Sequence, residues 1–157
     1  AFVHALARTL AARSGESVNI GVAVALDAGL IVPVIRNAGA LSIGETARAV
    51  ADLAARARGR TLAREETLGA HMTLTNVGSF GNLSASPIVP LGQVGILAPG
   101  LVERRPMPAQ DGGIRPGWRC RVCLMFDRRA LDDLAADRLL RGVVDELALL
   151  SEAPPPL

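Results

Sequence analysis

VNIGVAVALDAGLIVPVIRNA, residues 18–38, alternates apolar and small side chains with a period of two. Val18, Ile20, Val22, Val24 and Leu26 fall on one face, and Asn19, Gly21, Ala23 and Ala25 on the other. That alternation predicts a strand, and the small second face predicts close packing on both sides. Asp27, Ala28 and Gly29 are a turn signal. Residues 30–35 (LIVPVI) predict a second strand. Pro33 has no amide to give a ladder, which places that strand at an edge or a bulge.

Working outward, residues 2–13 (FVHALARTLAAR) predict an Ala- and Leu-rich helix that ends near Gly15. Ser42 and Glu45 form an S-x-x-E capping box. The helix it opens is expected to bury Ile43, Ala47, Val50, Ala54 and Ala57, to pair Glu45 with Arg48 and Asp52 with Arg56, and to stop at Gly59. Residues 72–77 (MTLTNV) read as a strand, followed by Gly78, Ser79, Phe80 and Gly81. Residues 85–101 hold two Pro-punctuated apolar pieces. Residues 106–117 are a polar Gly/Pro-rich hairpin region, and 119–126 a further strand. Residues 131–150 predict a long amphipathic helix with Ala136, Leu140, Val143, Leu147 and Leu150 inward. No internal repeat or linker interrupts this order, so residues 1–150 read as one domain and 151–157 as a tail. Alternating helices and strands predict an α/β (α+β) two-layer sandwich, a mixed sheet with helices on one face.

The 157 residues are half apolar and one-fifth charged, with a mean hydropathy of +0.32. No apolar run approaches the roughly 20 residues of a membrane helix, so no membrane partner is expected. Two cysteines exclude a disulfide-dense scaffold, and two histidines exclude most His-rich metal sites. Three Phe, one Trp and no Tyr argue against base-stacking nucleic-acid modules. All 17 basic residues are Arg, read as GC-rich coding bias of a bacterial source, and the net charge of +2 implies no polyanion. The chain opens without Met and shows no signal-peptide n-region or cleavage site, so it reads as the interior of a longer protein; the bacterial, GC-rich coding bias sets the expectation of a cytoplasmic location.

Neither a dinucleotide fingerprint, a Walker A loop nor a nucleophile elbow is present. Cys120 and Cys123, three apart on a strand, point to opposite faces and read as packing thiols rather than metal ligands. His4 reads as a surface or interface residue. His71 shares strand parity with Thr75 but lies about 13 Å along the strand, too far for a base, and reads as a packing or interface His.

Five runs in fixed order carry the functional signal: VNIGVAV (18–24), GLIVPVIRNA (29–38), MTLTNVGSFG (72–81), SPIVPLGQVGIL (86–97) and FDRRALDD (126–133). Together they resemble the catalytic domain of the acyltransferase (E2) component of 2-oxo acid dehydrogenase complexes, in the chloramphenicol-acetyltransferase-like superfamily. The family's usual versions read VNIGIAV, GLVVPVIRNA, FTISNIGSFGG, TPIINPPEVAIL and FDHRVVDG. The resemblance spans residues 2–150. It implies a coenzyme A-dependent acyltransferase fold. It also implies a homotrimer, open to larger assembly, with the active site in a channel between subunits. The family has further sequence before the point matching residue 1, including a strand and a helix that help wall the site. No lipoyl or subunit-binding domain accompanies this chain.

The departures fall on the chemistry. Arg128 stands where the family has its motif His, and Asp133 where it has Gly; Arg129 and Asp132 match. By the resemblance, Thr75 is the oxyanion donor, Arg128 and Asp132 complete the catalytic set, and Arg129, Asn76, Gly78 and Ser79 support substrate or structure. Each has a plainer role available: Asp132 and Asp133 as helix caps, Arg129 as an ion-pair partner, Gly78 in a turn. Arg128 has no lone pair and cannot act as a general base, although a cation there favours a thiolate and an oxyanion. Asp132, four residues on, is placed to neutralise it.

Two functions therefore stand open. One is acyl transfer between a coenzyme A, lipoyl or phosphopantetheine thioester and a thiol or hydroxyl, with no metal and with a lipoyl domain or carrier protein acting in trans. The other is a catalytically silent scaffolding subunit of the E3-binding-protein type.

Overall fold

The computed structural model describes residues 1–27, 29–108 and 111–152. In chain order the elements are α1 (Phe2–Ser14), β1 (Ile20–Val22), β2 (Val24–Leu26), β3 (Gly29–Ile31), β4 (Val34–Ile35), α2 (Ile43–Arg58), β5 (Met72–Leu74), β6 (Gly95–Pro99), β7 (Glu103–Pro108), β8 (Ile114–Arg119), β9 (Val122–Phe126) and α3 (Asp133–Glu152). A mixed sheet runs in the order β4-β1-β5-β6-β9, with β1, β5 and β6 parallel and antiparallel strands at both edges. Two ribbons, β2–β3 and β7–β8, stand apart from it.

The alternation of residues 18–26 is real, but the chain does not stay in one sheet. The Val22 amide donates to the Pro33 carbonyl and the Ala23 amide to the Leu74 carbonyl. After Ala23 the chain has left both neighbours, and β2 pairs with β3 alone. Residues 30–35 break at Val32 and Pro33 for the same reason, and β4 becomes the edge strand that the proline requires. The strand expected over 119–126 likewise splits between β8 and β9.

One face of the sheet makes the core. Val3 and Leu6 of α1, Leu53 of α2, and Leu139 and Val143 of α3 cover Ile20, Val22, Met72, Leu74 and Leu97. The capping box forms: Ser42 accepts from the Glu45 amide and Glu45 from the Ser42 amide. This occupies the Glu45 carboxylate and pulls it below the usual acid range, so it is capping rather than pairing with Arg48 that holds it. Asp52 pairs with Arg56 at 2.9 Å, and Arg56 also binds Glu66, tying α2 to the following loop. The inward face of α2 is rotated from the expected one. Thr46, Leu53 and Ala57 are buried, whereas Ile43 and Ala47 are exposed. On α3, Leu139 joins Ala136 and Val143 in the core. The helix runs two residues past the expected boundary at 150, and residues 153–157 of the expected tail lie outside the described residues.

Helices α1 and α3 cross at Thr9 and Gly142. A Cβ on Gly142 would come within 2.6 Å of the Thr9 Cγ2. Alanine ordinarily stabilises a helix interior over glycine by about 1 kcal/mol. Here Gly142→Ala lowers the urea midpoint, and Thr9→Ser, which removes the opposing methyl, restores it; a midpoint raised by Gly142→Ala alone disproves the tight crossing.

His4 is half-buried near the Thr46 hydroxyl, with 3.5 Å between Nδ1 and Oγ1. Burial and the nearby Arg8 charge lower its pKa from the ordinary 6.5. Between the folded and unfolded values the unfolded chain binds more protons, so stability rises with pH through that window. Unfolding midpoints therefore fall as pH drops from 7 to 5, and His4→Gln flattens that slope.

Candidate active site

Thr75 follows the last residue of β5, the central strand. Its amide donates to the Leu97 carbonyl at 2.9 Å. Met72 and Leu74 point into the helix-covered core, so strand alternation turns Thr73 and Thr75 to the other face. The Thr73 hydroxyl donates to Gln93 Oε1 at 2.6 Å. The half-buried Thr75 hydroxyl makes no hydrogen bond to any described residue.

The chain then turns back. The Asn76 side chain accepts from the Ser79 amide, and the Ser79 hydroxyl donates to the Asn76 carbonyl at 2.9 Å. These two residues close a 3-10 turn on each other. Gly78 sits in that turn against the backbone of Gly100, where any side chain would collide. Its small size serves this contact rather than an unusual dihedral, which falls instead to Gly81 at φ 82°.

A cavity of about 490 Å³ opens between this turn, β1, β2 and α2, lined by Val22, Val24, Val50, Leu74, Asn76 and Ser79 among others. It shares Ala25 and Arg58 with a second cavity of about 550 Å³ that also reaches Leu30 and Arg60. Both lie on the helix-covered side of the sheet with Leu74, away from Thr75, and the second carries Asp27 beside Arg58 and Arg60. Among the described residues neither Arg58 nor Arg60 has an ion-pair partner. Sequence reasoning treated this stretch only as a helix stop. Its signal was the pair of guanidiniums flanking Gly59 at a helix end.

Arg128, Arg129 and Asp132 lie elsewhere. The Asp127 amide donates to the Val94 carbonyl and the Val94 amide to that of His71. This row marks the opposite end of the sheet from Thr75. Cys123 lies beside Ala98, level with Thr75, and β9 runs three residues, about 10 Å, from there to Phe126, so Arg128 lies in the turn past the far end of that strand. One protomer thus brings together Thr75, Asn76, Gly78 and Ser79 at one end of the sheet and Arg128, Arg129 and Asp132 at the other.

In the second group every charge has an assignment. Arg129 grips Asp127 through Nε and Nη2, with a shortest distance of 2.6 Å, and holds that carboxyl down to about 2. Asp132 accepts from the Ala135 amide at 2.7 Å and caps α3. It therefore does not neutralise Arg128; Asp133 does, at 2.8 Å. Arg128 remains 77 % exposed. His71 stands at this end too. Its Nδ1 accepts from the Asn19 amide at 2.9 Å, which leaves the proton on Nε2 and the exposed nitrogen a donor, not a base. Cys120 and Cys123 are both free and half-buried. Cys120 lies within 3.2 Å of the Gly100 and Arg121 carbonyls, and burial raises its pKa. Among the described residues no three His, Cys, Asp or Glu side chains converge as a metal site, and no helix is long and apolar enough to cross a membrane.

A mixed sheet with helices on one face is the fold shared with the acyltransferase catalytic cores that this chain resembles. The catalytic-domain model of the 2-oxoacid dehydrogenase acyltransferases matches residues 7–152, and the chain belongs to that family. The acetyltransferase component of the Corynebacterium glutamicum pyruvate dehydrogenase complex is 40 % identical over 135 residues, covering 84 % of this chain and 20 % of that protein. The chain thus spans about a fifth of that relative's length. The crystal structure of a probable dihydrolipoamide acetyltransferase from Listeria monocytogenes superposes with a TM-score of 0.90 at 29 % identity, covering 99 % of this chain and 72 % of the other. A dihydrolipoamide acetyltransferase of Azotobacter vinelandii superposes with a TM-score of 0.85 at 29 % identity, over 95 % of this chain and 67 % of the other. That structure was studied for the role of a serine, a histidine and an asparagine in its catalytic mechanism.

Capping gives Asp132 a measurable structural role. Asp132→Ala destabilises the fold by about 1 kcal/mol, and Asp132→Asn, which still caps, recovers most of it in chemical denaturation. Equal losses in both variants would remove the cap assignment.

Proposed function

We propose that this chain is an acyltransferase domain that moves an acyl group from a coenzyme A, lipoyl or phosphopantetheine thioester to a thiol or hydroxyl, at a site shared between copies of the chain in a homotrimer. The observation that carries the reading is the Thr75 hydroxyl at the end of β5, which makes no hydrogen bond to any described residue. Arg128 then comes from the neighbouring protomer, because its own Thr75 lies at the far end of the sheet. The lipoyl domain or carrier protein that presents the second thiol acts in trans.

The chemistry follows from the side chains present. With a thiol acceptor, Arg128 takes no proton, so the thiol loses its proton to solvent, and the guanidinium charge lowers the thiol pKa. The thiolate sulfur attacks the acyl carbon. The carbonyl oxygen becomes an oxyanion that accepts a hydrogen bond from Thr75. Collapse breaks the donor C–S bond, and the leaving thiolate takes a proton from water.

A second reading has its own observation. The two departures from the family motif, Arg128 and Asp133, are closed on each other as an ion pair. A pair that serves only to staple the turn to α3 suits a silent scaffolding subunit.

Turnover of acetyl-CoA with dihydrolipoamide and with hydroxyl acceptors separates the two. For an enzyme, Thr75→Val lowers the rate by about 10²–10³-fold. With dihydrolipoamide the wild-type rate climbs with pH as the thiolate fraction grows, without an inflection from an enzyme base. Arg128→His installs a base and adds about 10²–10⁴-fold. Silence of the native chain with every acceptor, together with a large gain from Arg128→His, rejects native catalysis and leaves the scaffold.

A further inference from the structure

The β7–β8 ribbon carries more positive charge than its own acids balance. Residues 100–125 hold five arginines and two acids. Both acids are spent within the ribbon: Glu103 pairs with Arg105 at 2.9 Å, and Asp111 with Arg115 at 2.6 Å. Arg104, Arg119 and Arg121 are left over, and none of them has an ion-pair partner among the described residues. Arg119 stands directly across the ribbon from Glu103, on the same face, yet the carboxylate turns along its own strand to Arg105. Arg104 stands across from Trp118, and strand alternation puts it on the ribbon's other face.

Arg119 and Arg121 meet at one cavity. It has a volume of about 320 Å³ and is lined by Leu83, Leu101, Glu103, Arg105, Arg119 and Arg121 among others. Backbone hydrogen bonds fix its walls where β6 ends. The Leu101 amide donates to the Asn82 carbonyl and the Gly100 amide to that of Arg121, each at 2.8 Å. The Cys120 thiol also lines the cavity and donates to the Gly100 and Arg121 carbonyls. Burial raises its pKa, so it stays neutral and brings no competing negative charge. With Glu103 committed to Arg105, the lining holds two uncompensated guanidiniums. Two like charges at one cavity repel, and each keeps its fork of N–H donors. A group with two negative charges and several acceptor oxygens removes the repulsion and fills both forks.

We infer that this cavity is a binding site for a phosphate dianion, free or carried on a small ester, held between Arg119 and Arg121. The tetrahedral oxygens accept from both guanidiniums at once, and the two charges of the ligand match the two that the ribbon leaves over. A monocarboxylate answers only one of them. Leu83 and Leu101 give the organic part of an ester an apolar wall. Thr75 does not line this cavity, so the site stands whether or not that hydroxyl works in catalysis.

The whole chain is titrated by calorimetry with inorganic phosphate, glycerol phosphate and acetate, at about pH 8, where the phosphate probes are mainly dianions. Ligand runs from about 0.1 to 20 mM at low ionic strength, where an exposed anion site is least screened. The expected result is saturable binding of both phosphate probes, one per chain, with acetate at least about 10-fold weaker. Arg119→Gln and Arg121→Gln, exposed in the protomer, keep the native circular dichroism and each weaken phosphate binding by about 10-fold. Arg104→Gln, on the other face of the ribbon, changes it by less than about twofold. Tighter binding of glycerol phosphate than of phosphate assigns the cavity to an ester, and the reverse order to the free ion; either order sustains the site. Absence of saturable phosphate binding overturns the proposal, and so does acetate that binds as tightly as phosphate. Equal losses from Arg104→Gln and Arg119→Gln also overturn it, because they show a diffuse positive field in place of a site. None of these readouts uses turnover, so a catalytically silent chain that still binds phosphate defeats the acyltransferase reading alone.

Discussion

Burial of Met72 and Leu74 beneath the helices fixes the parity of β5, and much of the rest follows from it. With those two side chains inward, Thr73 and Thr75 have no choice of face. Thr73 is occupied by Gln93, and Thr75 is left with a free hydroxyl at the strand end. A slip of one residue would turn the hydroxyls into the helix-covered core and the core side chains to the opposite face. The hydrophobic driving force that stabilises the sheet therefore also aims the candidate oxyanion donor.

The turn from Asp127 to Asp133 illustrates how an altered motif remains self-consistent. Arg129 grips Asp127, Asp132 caps α3, and Arg128 binds Asp133. Each of these pairs is exposed and individually weak. Together they give every ionic group of the turn a local partner while leaving Arg128 with unused N–H donors facing solvent. The imidazole that the family places at this position would both accept and donate a proton; a guanidinium only donates. The same backbone can thus carry a base-catalysed site, a base-free site or none.

The β7–β8 ribbon stands in contrast to the core. Its prolines remove half of its outward amides, a device that prevents open-ended strand addition. The face that carries Ile114 and Trp118, unlike those edges, is left exposed.

Local chemistry was legible in the residues themselves. The S-x-x-E box at Ser42, the Asp52–Arg56 pair, the Asp132 cap and the edge position forced by Pro33 each depend on neighbours within a few positions. The five ordered runs carried the family, because side chains that share a sheet keep their spacing. Other features needed contacts distant in sequence. The split of residues 18–26 at Ala23 comes from hydrogen bonds to Pro33 and Leu74. The burial of Thr46 on α2 depends on α1, whose His4 lies 3.5 Å from the Thr46 hydroxyl. Arg58 and Arg60 belong to a cavity whose other wall is β2 and β3. The sequence by itself determined the helix caps, the edge position of the Pro33 strand and which proton chemistry Arg128 can perform. Only the tertiary structure placed Thr75 and Arg128 at opposite ends of one sheet, because the antiparallel return of β9 along β6 reverses the direction in which the chain reaches its motif.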